Sequence, residues 1–81
     1  MPVSLYDPVY QKVRSFLKAS RKNAGYTQNQ LAVVLGVGQS YVSKIERAEN
    51  FIDLVFFVKW CEACQSSPSL AISDIFNSGE V

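Results

Sequence analysis

Few side chains in this 81-residue chain could support catalysis or bind a metal ion. The sequence has no histidine, which is the usual general base and a frequent metal ligand. Cys61 and Cys64 have the C-x-x-C spacing of redox and zinc sites. However, two thiols without histidine cannot complete a tetrahedral zinc site within one chain, and no strand–helix–strand pattern surrounds them. We therefore expect no enzyme, no metal and no cofactor, and we interpret both thiols as core residues.

A larger group of polar side chains lies on the outward side of a short helix predicted over residues 39–46. These side chains carry amide, hydroxyl, phenol and amine groups: Gln39, Ser40, Tyr41, Ser43 and Lys44. A glutamine can pair bidentately with adenine, and a lysine can reach the acceptor atoms of guanine. Serine bonds either a base or a phosphate and is less informative. The pattern favours contact with DNA.

The distribution of charge supports the same interpretation, although the net charge is only +1. Residues 1–47 hold seven basic and two acidic side chains, whereas residues 48–81 hold one basic and five acidic side chains. The first part therefore has a net charge of +5 and the second of −4. Such a dipole would turn the basic part toward phosphates. An ordinary solvated helix accounts equally well for Lys12 and Lys18 taken alone.

Caps and apolar periodicity predict five helices that position these groups. Three helices are expected over residues 8–24, 28–35 and 39–46, two more within 53–76, and a tail over 77–81. The strongest signals are Asp7-Pro8, the capping box from Thr27 to Gln30, and Ser67-Pro68. No stretch alternates with period two, so we predict an all-α fold in a single domain over residues 1–81.

Residues 28–47 match a helix-turn-helix, in which two short helices are joined by a turn that contains glycine. The turn is Gly36-Val37-Gly38, and Ala32 is small where the two helices must cross. The remaining matches are the apolar positions that such a unit buries: Leu31, Leu35, Val37, Val42 and Ile45. An ordinary helical hairpin is the alternative, but seven matches within twenty residues make it the poorer one.

The stretches Arg21–Gln28, Leu31-Ala32 and Leu35–Arg47 resemble the phage-repressor and Cro-type (XRE-type) helix-turn-helix transcriptional regulators. The resemblance covers about residues 10–76 without a gap. It implies a compact five-helix, lambda-repressor-like domain that binds operator DNA, usually as a homodimer. Two positions depart from the family pattern. Gly38 replaces the serine or threonine that caps the recognition helix, and Ala48 replaces a glycine, so that Asn50 could take the left-handed position.

The resemblance also implies roles for individual residues. The residues expected to contact bases are Gln39, Ser40 and Lys44. Those expected to contact the DNA backbone are Gln28, Tyr41, Ser43 and Arg47. Tyr41 could equally pack on the second helix of the unit. Arg21 and Glu46 are expected to form a structural ion pair rather than to bind DNA.

The predicted fourth helix has more apolar residues than one face can hold. Leu54, Phe57, Val58, Cys61 and Cys64 fall on the expected core face, and Val55 points elsewhere. The fifth helix offers Leu70, Ile72, Ile75 and Phe76. Phe56 and Trp60 form a second stripe on the fourth helix, and we expect them to lie at an isologous dimer interface. The alternative is that the fifth helix covers Trp60.

These patterns predict a sequence-specific regulator of transcription, and more specifically a repressor that regulates its own gene. The partners expected are double-stranded operator DNA and a second copy of the chain, without a membrane or a small-molecule ligand. The alternative is an antitoxin-like protein-interaction module that uses the surface of the fourth and fifth helices. The sequence shows no signal peptide and no apolar run of the ~18 residues that a membrane span needs. We therefore expect a cytoplasmic protein encoded by a bacterium or a phage.

Overall fold

The computed structural model describes residues 4–77, and within this range the secondary structure is entirely helical. The helices are α1 (Pro8–Asn23), α2 (Gln28–Leu35), α3 (Gln39–Glu46), α4 (Leu54–Ala63) and α5 (Pro68–Asn77). The predicted all-α, five-helix architecture is confirmed. The tail was expected to begin at residue 77, but Asn77 belongs to α5, and residues 78–81 lie outside the described range. No helix within residues 4–77 combines the length and apolar character needed to cross a bilayer.

Side-chain caps start the helices where the sequence predicts them. The Asp7 carboxylate accepts a hydrogen bond from the Val9 amide at 2.8 Å, and the Asp53 carboxylate accepts one from the Phe56 amide at 2.8 Å. At α2 the capping box is complete, because the Thr27 hydroxyl accepts from the Gln30 amide while the Gln30 side chain accepts from the Thr27 amide. Only Gly38, before α3, supplies no side-chain cap among these four starts.

Four helices end in a left-handed residue that turns the chain back toward the last carbonyls. These residues are Gly25, Gly36, Ala48 and Gln65, with φ of +85°, +73°, +61° and +59°. The expectation that Asn50 takes the left-handed position after α3 is wrong. Ala48 takes it instead, because its amide bonds Ile45 O and the next amide bonds Lys44 O. These two hydrogen bonds close a Schellman turn.

The core lies where the five helices meet, and α5 contributes Ala71 and Ile75 to it. Its fully covered side chains are Leu17, Leu31, Val42, Ile45, Trp60 and Cys61. The placement of Trp60 at a dimer interface is therefore wrong. The Trp60 side chain has no exposed area, and its indole N–H donates to Leu17 O at 3.1 Å. This bond satisfies the polar end of the ring inside the chain, so Trp60 is a core residue.

The expected core faces of α4 and α5 are only partly correct. Phe57, Cys61 and Cys64 are buried, but Leu54 is 72% exposed. On α5 the buried residues are Ala71 and Ile75, whereas Leu70 and Ile72 are exposed; the side chain of Phe76 lies outside the described part of the chain. Val55 is exposed, as predicted. The reason is that α4 is apolar on nearly every side, so its periodicity does not identify the face that its neighbours cover.

Candidate nucleic-acid interface

The turn between α2 and α3 fixes the orientation of the second helix. The Gly36 amide bonds Val33 O at 3.2 Å, and the Val37 amide bonds Ala32 O at 3.0 Å. Ala32 is 1% exposed at the crossing of the two helices. Because Val42 and Ile45 fill the core, the opposite side of α3 faces outward.

The three residues predicted to contact bases share this outward side of α3. Gln39, Ser40 and Lys44 are all exposed. Two of the residues predicted to contact the DNA backbone, Tyr41 and Ser43, are half-buried. The side has no competing acidic group, since the acidic residue within α3, Glu46, is buried.

Arg21 and Glu46 form the ion pair that the resemblance implies. Arg21 Nε lies 2.6 Å from Glu46 Oε2, and Arg21 Nη2 lies 3.1 Å from Oε1. The side chains of the pair are only 8% and 2% exposed. Arg21 also donates from Nη1 to Tyr26 O at 2.8 Å. The pair therefore attaches the C-terminal end of α3 to α1 and to the turn that precedes α2.

Gln28 connects this buried pair to the outward side of α3. Its Nε2 donates to Glu46 Oε1 at 3.0 Å, and its Oε1 accepts from Gln39 Nε2 at 3.3 Å. A continuous series of side-chain hydrogen bonds thus runs from Arg21 to the first residue of α3. This arrangement fixes the orientation of the Gln28 amide and limits the rotamers that Gln39 can adopt.

Tyr41 packs on α4. Its ring meets the ring of Phe56 edge-on, with the ring centroids 5.2 Å apart. Phe56 in turn lies edge-on to Trp60, at 6.1 Å between centroids. This aromatic series connects α3 to α4, and the alternative contact of Tyr41 with the second helix stays a prediction.

Two residues of α1 hold α3 and the segment after it, a role that no local pattern predicts. Arg14 donates from Nη1 to Glu46 O at 3.1 Å, a carbonyl at the end of α3. The Tyr10 hydroxyl donates to Asn50 O at 2.9 Å and accepts from the Ile52 amide at 3.1 Å. Burial raises the pKa of Tyr10. Both contacts span more than thirty residues, so local patterns could not have revealed them.

Arg47, the remaining residue predicted to contact the backbone, is exposed at the C-cap of α3. Its guanidinium meets the Glu49 carboxylate, with Nε 3.3 Å from Oε2 and Nη2 3.4 Å from Oε1. The sequence analysis did not identify this second ion pair.

The C-x-x-C motif lies in the core. Both thiols are free and buried. Burial raises the pKa of Cys61 to about 11, and it also raises the pKa of Cys64. A thiol with such a pKa is protonated at neutral pH and is a poor nucleophile.

Comparison with known proteins identifies the same region. Residues 17–70, which include all of α2, α3 and α4, match a family described as Helix-turn-helix. Over 43 residues the chain is 49% identical to the HTH-type transcriptional regulator SlrR of Bacillus subtilis (strain 168). The matched segment is 53% of this chain but only 28% of that relative, so the chain spans less than a third of the relative's length.

Proposed function

The chain belongs to the XRE-type helix-turn-helix family, and from this premise we propose that it regulates transcription by placing α3 in the major groove of operator DNA. The observation that supports this most directly is the division of α3 into two sides. Val42 and Ile45 have no exposed area, whereas Gln39, Ser40 and Lys44 opposite them are exposed. A helix held in this way can present its first residues to base edges.

The base contacts are assigned by chemistry. Gln39 would pair with adenine, Lys44 would reach guanine, and Ser40 would bond a neighbouring base edge. Since Gln28 already bonds the Gln39 amide, Gln39 would meet the DNA in a restricted orientation. Restricting a side chain in advance reduces the conformational entropy lost on binding.

Four residues around α3 would contact phosphates. Gln28 is the first residue of α2, where free backbone amides and the helix dipole favour an anion. Arg47 is exposed at the other end of the interface. Tyr41 and Ser43, half-buried on α3, would complete the set.

We further propose a homodimer on a palindromic operator, with half-sites one helical turn, ~34–36 Å, apart. Support comes from exposed apolar side chains at the start of α4, where Leu54 is 72% and Val55 is 66% exposed. They adjoin Phe56, which is half-buried and whose exposed part would lie at the edge of the dimer contact. A bound dimer would repress by covering its operator.

The decisive experiment selects sites from a random duplex pool and then compares variants on the selected sequence. Gln39→Ala with Lys44→Ala should lose specific binding, because each good base contact contributes about 1–3 kcal/mol of discrimination. The matched control is Gln65→Ala with Lys59→Ala, which removes the same chemical groups at two exposed positions near the other end of the chain. Equal binding by both variants, or a pool without enrichment for wild type, would contradict the proposal.

A protein-interaction module is the second candidate. Exposed apolar side chains on α2 favour it, since Val33 is 73% and Val34 is 54% exposed. If the wild-type chain binds no duplex even at low salt but forms a stoichiometric complex with another protein, this second function is correct.

A further inference from the structure

The ion pair of Arg47 and Glu49 lies directly after the recognition helix. Two nitrogen–oxygen contacts, at 3.3 and 3.4 Å, join the guanidinium to the carboxylate. The side chains are 58% and 51% exposed. The carboxylate therefore occupies the side of Arg47 that a bidentate phosphate would also use, because guanidinium presents the same paired donors to both anions.

The backbone brings these two side chains together. The left-handed Ala48, at φ +61°, reverses the chain between them. The Arg47 amide bonds Ser43 O at 2.9 Å, and the Glu49 amide bonds Lys44 O at 2.9 Å. Both residues are therefore attached to the last turn of α3. This short connection keeps the Glu49 carboxylate within reach of Arg47.

Glu49 pairs with Arg47, whereas the acidic residue nearest in sequence, Glu46, pairs with a different arginine. Glu46 is buried and forms two contacts with Arg21. Glu49 is exposed, and its amide bonds Lys44 O in the last turn of α3. A phosphate that binds Arg47 must first displace the Glu49 carboxylate. Once bound, the phosphate remains close to this carboxylate, and the two negative charges repel each other. The one acidic group therefore weakens the contact in two ways.

We propose that Glu49 limits the DNA affinity of this chain by holding Arg47 in an ion pair that a backbone phosphate must displace. This inference rests on the proposed function in DNA binding. An exposed pair of this kind is weak, so a phosphate can displace it at a modest loss of affinity. Every duplex, whatever its sequence, meets the same restraint, and the effect therefore falls on non-specific as well as on specific binding.

The test compares Glu49→Gln with wild type on a generic duplex, by fluorescence anisotropy over a series of KCl concentrations. The amide keeps the size of the side chain but removes its charge. We expect binding to become about three- to fivefold tighter at low salt. Because a phosphate then occupies Arg47 more fully than in wild type, the slope of log K against log salt should steepen by up to about 0.9.

Two controls separate this restraint from a general effect of charge. Glu62→Gln removes the same charge from an exposed position on α4, and it should change the affinity much less. In a chain that already carries Arg47→Gln, the further change Glu49→Gln should not steepen the slope of log K against log salt. Thermal melting of each variant checks that the fold is retained.

The outcomes differ in what they overturn. If Glu49→Gln binds as wild type does, if Glu62→Gln gains as much, or if the slope rises equally without Arg47, then the restraint is wrong and the DNA-binding function stands. If no variant and no wild-type chain binds duplex at the lowest salt, both the proposed function and this inference are wrong.

Discussion

At the scale of single residues, the ion pairs of Arg21 with Glu46 and of Arg47 with Glu49 differ in the solvent around them. Arg21 and Glu46 lie in the interior, with side-chain exposures of 8% and 2%, whereas Arg47 and Glu49 are more than half exposed. Water screens the second pair, so its loss changes stability little. The loss of one partner of the first pair leaves a charge in the core without compensation.

We therefore predict that Glu46→Gln lowers the free energy of unfolding by about 3 kcal/mol or more, because the Arg21 guanidinium loses its counter-charge. A domain of this size has only about 3–5 kcal/mol of stability, so the variant should be close to unfolding at ambient temperature. Urea denaturation followed by circular dichroism measures the change. Glu49→Gln is the control and should stay within about 0.5 kcal/mol of wild type. A loss below about 1 kcal/mol in Glu46→Gln would show that the buried pair is not needed for the fold.

The buried thiols give a prediction for alkaline pH. The pKa of Cys61 rises from 9.0 to about 11 on folding, because burial disfavours the thiolate, and the pKa of Cys64 also rises. The stability from these groups is fully present below pH 9 and is lost as the pH rises toward 11, where the unfolded chain releases protons that the folded chain retains. The melting temperature should fall over this range.

The control for the alkaline prediction is Cys61→Ala with Cys64→Ala, in which the fall should be smaller over the same pH range. A residual fall from Tyr10, whose pKa is also raised, is expected near the upper end. An unchanged slope in the double variant would rule out the thiols as its source.

At the scale of helices, the ends of the elements and the buried residues of α2 and α3 could be predicted from sequence, whereas the buried face of α4 could be predicted only in part. Caps are local chemistry, so Asp7, Thr27 and Gly36 specify where helices begin and end within a few residues. The face that α4 buries depends on which neighbours reach it. The hydrogen bonds from Tyr10 and Arg14 to residues more than thirty positions away depend on the assembled fold, so no local pattern indicates them.

The left-handed ends supply a prediction for backbone strain. Gln65 ends α4 at φ +59°, a conformation that costs a residue with a side chain about 1–2 kcal/mol. Gln65→Gly should therefore raise the free energy of unfolding by roughly 1 kcal/mol, since Gln65 is exposed and the glycine loses little contact. Thermal or urea unfolding measures the gain.

The reciprocal control is Gly36→Ala. A Cβ atom at Gly36 would meet nothing within 4 Å, so its expected loss of about 1 kcal/mol comes from the positive φ alone. If both substitutions leave stability unchanged, the left-handed turns carry no strain.

At the scale of the whole molecule, the candidate DNA-binding side and the exposed apolar side chains belong to different elements. Lys44 and Arg47 lie on α3 and its cap, while Leu54 and Val55 lie at the start of α4. A symmetric dimer through α4 would leave the outward side of α3 free in both copies, as two half-sites require. The sequence predicts such an interface through Phe56 and Trp60; because the Trp60 ring is buried, we propose the first turn of α4 in its place.

The last prediction tests this interface with two matched substitutions at exposed valines. Val55→Glu, at a position 66% exposed on α4, should weaken the dimer because it places two like charges near the symmetry axis. Val33→Glu, at a position 73% exposed on α2, introduces the same charge and should leave the dimer intact. Light scattering without DNA, and binding curves on one and on two half-sites, measure the difference. Val55→Glu should lose the advantage of the second half-site and keep its affinity for a single one, because α3 is untouched. If Val33→Glu is the variant that dissociates, the two copies meet through α2. If the wild-type chain is a strict monomer and binds two half-sites without cooperativity, a homodimer is excluded altogether.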